Sequence, residues 1–168
     1  MKNKGWFGLV LFSLFVLISC SQEAEVPPDG FYTFDTDKVN EAVDQASFNP
    51  DIPDFVPIPV EFIIYDVYQL AGKNGEALDI SFYSRQNDFF TYQVSEGTFE
   101  TSLEAEDVKI NGTIEASYSD DGFAKRLVWA NNGLSYKLEY RPNLISNDGP
   151  SRDICKEEMI EVAHSTLS

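Results

Sequence analysis

The chain of 168 residues carries 12 basic against 28 acidic side chains, with 43% hydrophobic and 14% aromatic residues. That length suits one domain of ordinary size, and a net charge of −16 argues against nucleic-acid binding, which needs clustered Lys and Arg. The aromatic content sets it apart from disordered acidic chains, and two Cys cannot staple a disulfide mini-domain.

Lys2 and Lys4 form a short positive region, followed over 6–18 by an apolar run broken only by Gly8 and Ser13. As a helix that run would cover about 20 Å, short of the roughly 30 Å hydrocarbon core of a bilayer. It therefore reads as the core of a secretory signal rather than a permanent span. The run ends in Leu17-Ile18-Ser19-Cys20, which resembles the lipobox of bacterial lipoproteins. The resemblance implies a diacylglyceryl group on the Cys20 thiol and removal of residues 1–19. Two acyl chains hold far more firmly than one, so the implied location is the extracytoplasmic face of the cell membrane. Ser21 is not the Asp that resembles an inner-membrane retention signal. Cleavage would take Lys2 and Lys4 away, leaving ten basic side chains against 28 acidic ones and a charge of −18.

Residues 20–30 are acidic and contain Pro27 and Pro28, as expected of a tether, and about ten residues reach at most about 35 Å. A single domain is expected over 31–168. Val39, Ala42, Val43 and Ala46 recur at helical spacing over 36–46, with Asp35 or Thr36 as the cap. Pro50, Pro53, Pro57 and Pro59 keep 48–59 extended, on the surface or along an edge. Residues 60–70 are apolar on both faces, the pattern of a central strand. A turn at Lys73-Asn74-Gly75 precedes alternation of Leu78, Ile80 and Phe82, and 89–95 forms the next strand. Over 107–119, Gly112 marks a bulge or an Asn-Gly turn, with the bulge favoured. Strands 125–130 and 134–140 flank Asn131-Asn132-Gly133, a strong hairpin signal. A loop over 141–150 leads to a closing helix over 154–166, capped by Asp153, with Cys155, Met159, Val162 and Ala163 on its apolar side. The expected fold class is α+β: a curved antiparallel β-sheet with N-terminal and C-terminal helices packed on one face.

Catalytic chemistry is poorly provided for, and the chain reads as a non-enzyme. His164 is the sole His, placed to complement a helix C-terminus, and no Gly-x-Ser-x-Gly elbow presents a nucleophile. With Cys20 lipidated, Cys155 is the remaining thiol and reads as buried and structural. Asp35-x-Asp37, Asp120-Asp121-Gly122 and Asn147-Asp148-Gly149 resemble fragments of calcium loops but fit turn chemistry. Glu100, Glu104, Glu106 and Asp107 read as a solvated acidic face. No metal and no cofactor are expected.

The aromatic residues of the predicted strands are the stronger functional signal. One covered face could bury about half of Tyr65, Tyr68, Phe82, Tyr83, Phe89, Phe90, Tyr92, Tyr118, Trp129, Tyr136 and Tyr140, the rest lining a groove or patch; the alternative reading is that the domain uses them as core. Trp129 and Tyr136, on the two arms of the Asn-Gly hairpin, are the candidate ligand-binding residues. The Phe48-Asn49-Pro50-Asp51-Ile52-Pro53 segment, the Val128-Trp129…Gly133…Tyr136-Lys137-Leu138 hairpin and the Glu158…Ile160…Ala163-His164-Ser165…Leu167 helix resemble an uncharacterised domain family of Gram-positive-type secreted and lipid-anchored proteins, found at times beside anti-sigma-like segments. More distantly, the pattern is similar to lipoprotein carriers and the sensor domain of a sigma-factor regulator. Two readings follow. One is a domain that binds an apolar ligand, lipid or peptide. The other is an envelope-sensing or interaction module that contacts another membrane protein.

Overall fold

The computed structural model describes residues 26–71, 75–143 and 152–167. The signal segment, Cys20 and most of the 141–150 loop lie outside them. The elements run α1 (Thr36–Val43), β1 (Phe62–Gln69), β2 (Glu76–Tyr83), β3 (Phe89–Ser95), β4 (Glu106–Ile110), β5 (Ile114–Asp120), β6 (Lys125–Asn131), β7 (Leu134–Arg141) and α2 (Lys156–Ser165). The seven strands form one open sheet in the order β1-β2-β3-β7-β6-β5-β4, with every pairing antiparallel. An α+β fold built on an antiparallel sheet is therefore observed.

Strand side chains alternate between faces, and the register carries one apolar row across the sheet. Leu78, Ile80 and Phe82 of β2 stand opposite Val94, Tyr92 and Phe90 of β3, which stand opposite Tyr136, Leu138 and Tyr140 of β7. Leu127 and Trp129 of β6 continue the row. All are buried, and they join Val39 and Ala42 of α1 and Met159, Val162 and Ala163 of α2 in one cluster. Burying each such large apolar side chain contributes about 1.5–3 kcal/mol. α1 packs against β1 and β2, and α2 against β4 and β6.

The Pro-rich segment does not run along an edge. Val56 and Ile58 are fully buried, and the Tyr92 hydroxyl donates to the Asp51 carbonyl. Proline brings no N–H to satisfy, so the segment can lie extended on the core. Arg152 ties it down: its guanidinium donates to the carbonyls of Gly30 and Pro57 and pairs with Glu158.

Both helix starts follow local chemistry. The Asp35 carboxylate accepts from the Asp37 and Lys38 amides at 3.1 and 3.3 Å. α2 begins later than the spacing suggests and is not capped by Asp153, whose carboxylate instead meets Lys125 Nζ at 2.6 Å. Cys155 takes the cap position, its amide donating to Glu158 Oε2 at 2.8 Å.

Residues 107–119 form two strands, not one bulged strand. Asn111 and Gly112 both have positive φ, 45° and 78°, and Thr113 N–H returns to Ile110 C=O. Asn and Gly tolerate that geometry best, so the turn outcompetes the bulge. The Asn132-Gly133 turn, with φ of 51° and 82°, closes the β6–β7 hairpin with Asn131 opposite Leu134. At Gly133 an added Cβ would meet nothing within 4 Å, so only backbone strain opposes a side chain there. Gly133→Ala is expected to lower stability by about 1 kcal/mol, read as a lower denaturant midpoint at unchanged slope.

Candidate functional site

Trp129 and Tyr136 are enclosed in the core, although Trp129 also borders an open cleft over β4, β5 and β6 with Val108, Ala116 and Val128. Their rings stack 5.2 Å apart at 10°, and they are 3% and 1% exposed. The Tyr136 hydroxyl donates to Asp51 Oδ2 at 3.3 Å, and burial pushes its phenol up to about 12. Tyr92 stands 6.2 Å from Tyr136 and is equally enclosed, its phenol raised well above the ordinary value by burial. This aromatic row is core, closed over by the Pro-rich segment.

The other sequence candidates also resolve into structure. Cys155 is exposed rather than buried, because it caps α2 instead of lying within its apolar stripe. Its thiol is held above the ordinary range by partial desolvation and the adjoining Glu157 and Glu158 carboxylates, which disfavours a reactive thiolate. His164 is exposed in the last turn of α2. Glu100, Glu104, Glu106 and Asp107 are exposed, and Lys156 Nζ meets Glu106 at 2.8 Å. Asn147-Asp148-Gly149 lies outside the described residues. Among the described residues no three His, Cys, Asp or Glu side chains gather as a metal site would require.

Asp120 and Asp121 serve the β5–β6 turn. Asp120 Oδ1 accepts from Gly122 N–H at 2.9 Å, and Asp121 Oδ1 from Phe123 and Ala124 N–H at 2.9 and 2.8 Å. Arg126 donates to Asp121 Oδ2 at 2.7 Å, and with these amides it holds the carboxyl well below the usual carboxylate range. A depressed carboxylate stabilises the fold fully above its unfolded value near 3.9, and that contribution fades as pH falls further. Asp121→Asn should therefore flatten the loss of stability below about pH 4, read from melting curves across pH.

The outward face of the sheet remains. Its rows follow from the register: Phe62, Tyr83, Phe89 and Arg141 form one line, and Ile64, Ser81, Thr91, Glu139 and Arg126 the next. Asp66, Asp79, Gln93 and Lys137 form a third. Phe62 stacks on Tyr83 at 4.6 Å and 11°, Tyr83 tilts against Phe89 at 5.0 Å, and Arg141 lies over Phe89. Glu139 is buried between Arg126 and Arg141, at 2.7 and 2.6 Å.

Topology divides this face in two. β3 and β4 are consecutive in the chain but β4 lies at the far edge, so residues 96–105 must pass over β7, β6 and β5. Phe99 lies under Lys137 Nζ at 5.2 Å, and Glu100, Thr101, Ser102 and Ala105 border a cleft with the outward residues Ser117, Ser119, Arg126 and Val128. No such segment crosses β1 and β2 among the described residues. There Phe62, Ile64 and Tyr68 are 50%, 53% and 38% exposed. A second cleft, of about 400 Å³ and open to solvent, adjoins this end between Phe34, Lys38 and Phe62.

Residues 60–70 read as a central strand, but β1 is an edge. Its composition suits burial on both sides, but only β2 pairs with it. The opposite edge strand β4 differs in length and charge: it has five residues and carries Glu106, Asp107 and Lys109. No protein-family model matches the chain, and no match is found among curated proteins or solved structures.

Proposed function

We propose that the chain is a lipid-anchored, non-enzymatic interaction domain on the extracytoplasmic face of the membrane, which contacts another envelope protein through the uncovered β1 end of its sheet. The anchor is the diacylglyceryl group on Cys20, after removal of residues 1–19. No helix among the described residues is long and apolar enough to cross a membrane. The observation that carries the reading is β1 itself, eight residues with apolar side chains on both faces at an open edge. Soluble domains blunt such edges with Lys, Pro, bulges or a covering segment, as β4 is blunted here. An unblunted edge is a contact surface or a hazard.

Both helices lie on the core side of the sheet in this reading, supported by the single cluster that Val39, Ala42, Met159, Val162 and Ala163 share with the inward row. The tether reaches the domain on that side too. Val26, Pro27 and Pro28 border a cleft with Phe55, Glu161 and His164. A charge of −18 opposes close approach to anionic headgroups, in keeping with a domain that stands off its membrane. The enclosed Trp129–Tyr136 pair weighs against a lipid carrier.

A photo-activated cross-linking residue placed at Ile64 of the full chain in its own cells should give a discrete protein adduct. The same residue at Leu103, exposed on the 96–105 crossing, should not. Equal labelling at both positions, or none at Ile64, would overturn the proposal.

A further inference from the structure

We infer that the β1 edge accepts an extended, cationic segment of a partner polypeptide as an eighth antiparallel strand, with a Lys or Arg set opposite Asp66. This rests on the interaction reading and adds the chemistry of the occupant.

The backbone supplies the docking groups. In an antiparallel ladder, alternate residues exchange hydrogen bonds with the neighbouring strand. The bond from Leu70 N–H to Gly75 C=O, at 2.9 Å and continuing the β1–β2 register, sets the phase. Even-numbered residues of β1 therefore face β2, and Ile63, Tyr65 and Val67 direct their N–H and C=O to the open edge. Strand addition satisfies these groups and buries the exposed side chains beside them.

Charge selects the occupant. Asp66 stands directly opposite Asp79 on the outward face, an arrangement of like charges that disfavours the sheet. Asp79 already accepts from Gln93 Nε2 at 2.6 Å and from the Tyr68 hydroxyl at 3.3 Å, and burial holds its carboxyl above the usual range. Asp66 has no ion-pair partner among the described residues. The position across the open edge is one from which a counter-charge can come. A second copy of this chain fits less well, because two strongly acidic domains repel and neither β1 contains a Lys or Arg.

Register then defines the partner pattern. Running antiparallel, the incoming strand meets Tyr68, Asp66, Ile64 and Phe62 in that order on the outward face. It should read apolar, x, Lys or Arg, x, apolar, x, apolar. A capped peptide Val-Thr-Lys-Thr-Val-Thr-Val titrated into the full chain in detergent should shift the amides of Ile63, Tyr65 and Val67. Replacing its Lys with Glu should weaken binding about tenfold, the scale of one close charge pair, and Asp66→Lys should reverse that preference. Val67→Pro removes an edge-facing N–H and leaves the β1–β2 ladder bonds in place; it should abolish binding, with a lower melting temperature because Val67 also packs against the core. If this variant unfolds, the Asp66→Lys reversal still decides. Equal binding of the Lys and Glu peptides, or shifts away from β1, would overturn the inference, as would a dimer through β1 that excludes the peptide. A cellular adduct at Ile64 without charge preference leaves the interaction reading standing and removes this one. Charge-selective binding without a cellular adduct does the reverse.

Discussion

Trp129→Ala is expected to destabilise the domain by about 3–5 kcal/mol, the usual loss when a buried aromatic ring is truncated. The indole stacks on Tyr136 and is enclosed among Ala116, Leu127 and Leu138 within the core cluster, so its removal leaves a cavity that the paired β6 and β7 backbones cannot close. Such a loss is a large share of the stability of an ordinary domain. Chemical denaturation of the full chain should show it as a much lower midpoint. Two milder substitutions separate packing from polarity. Trp129→Phe keeps a buried ring and removes an indole N–H that has no acceptor among the described residues, so it should cost about 1 kcal/mol or less. Tyr136→Phe keeps the stack and gives up only the hydroxyl contact with Asp51, also about 1 kcal/mol. A Trp129→Ala variant of nearly unchanged stability would contradict the placement of this pair in the core.

Cys20→Ser is expected to abolish acyl labelling altogether and to leave the chain either released or held as an unprocessed precursor. The effect is all-or-none because only a thiol forms the lipid thioether, so the substitution removes the acceptor outright. Each buried CH₂ contributes about 0.8 kcal/mol, so two acyl chains outweigh any contact an acidic domain makes with lipid. Palmitate labelling followed by fractionation reads the outcome. Labelling that survives the substitution would refute the lipobox assignment.

Much of the fold was legible because short-range rules set it. The clean alternation of Leu134, Tyr136, Leu138 and Tyr140 with polar residues defines β7, and Asn132-Gly133 permits the left-handed turn that closes its hairpin. Asp35 caps α1 because a carboxylate one residue ahead of a helix meets its free amides. Other features depend on what a segment packs against. Residues 60–70 read as a central strand from composition, yet strand order is a long-range property and β1 falls at the edge. The one local hint was Asp66, a charge inside an apolar run. Gly112 misled because bulges and Asn-Gly turns share their residues. Asp153 stands where a cap belongs, but Glu158, three residues beyond Cys155, competes for that amide and Lys125 claims Asp153.

The candidate site was less legible than the fold. Counting strand aromatics correctly signals a surplus over one core, but not which of them is left outside. Trp129 and Tyr136 went to the interior, while Phe62, Tyr83 and Phe89 formed the outward line. Strand alternation sends Trp129 and Tyr136 inward, and the 96–105 crossing, which passes over β5, β6 and β7, leaves the outward face of β1 and β2 open. Its acidic residues carry no pattern from which such a path can be read.

Native mass spectrometry of the full chain, released gently from its membranes, tests most directly whether the strand aromatics form a closed core rather than a ligand cavity. The expected species is the processed chain with its covalent diacylglyceryl group and no further lipid. A non-covalent lipid that stays bound through gentle activation, and is lost in the well-folded Trp129→Phe or Tyr136→Phe variants, would contradict it.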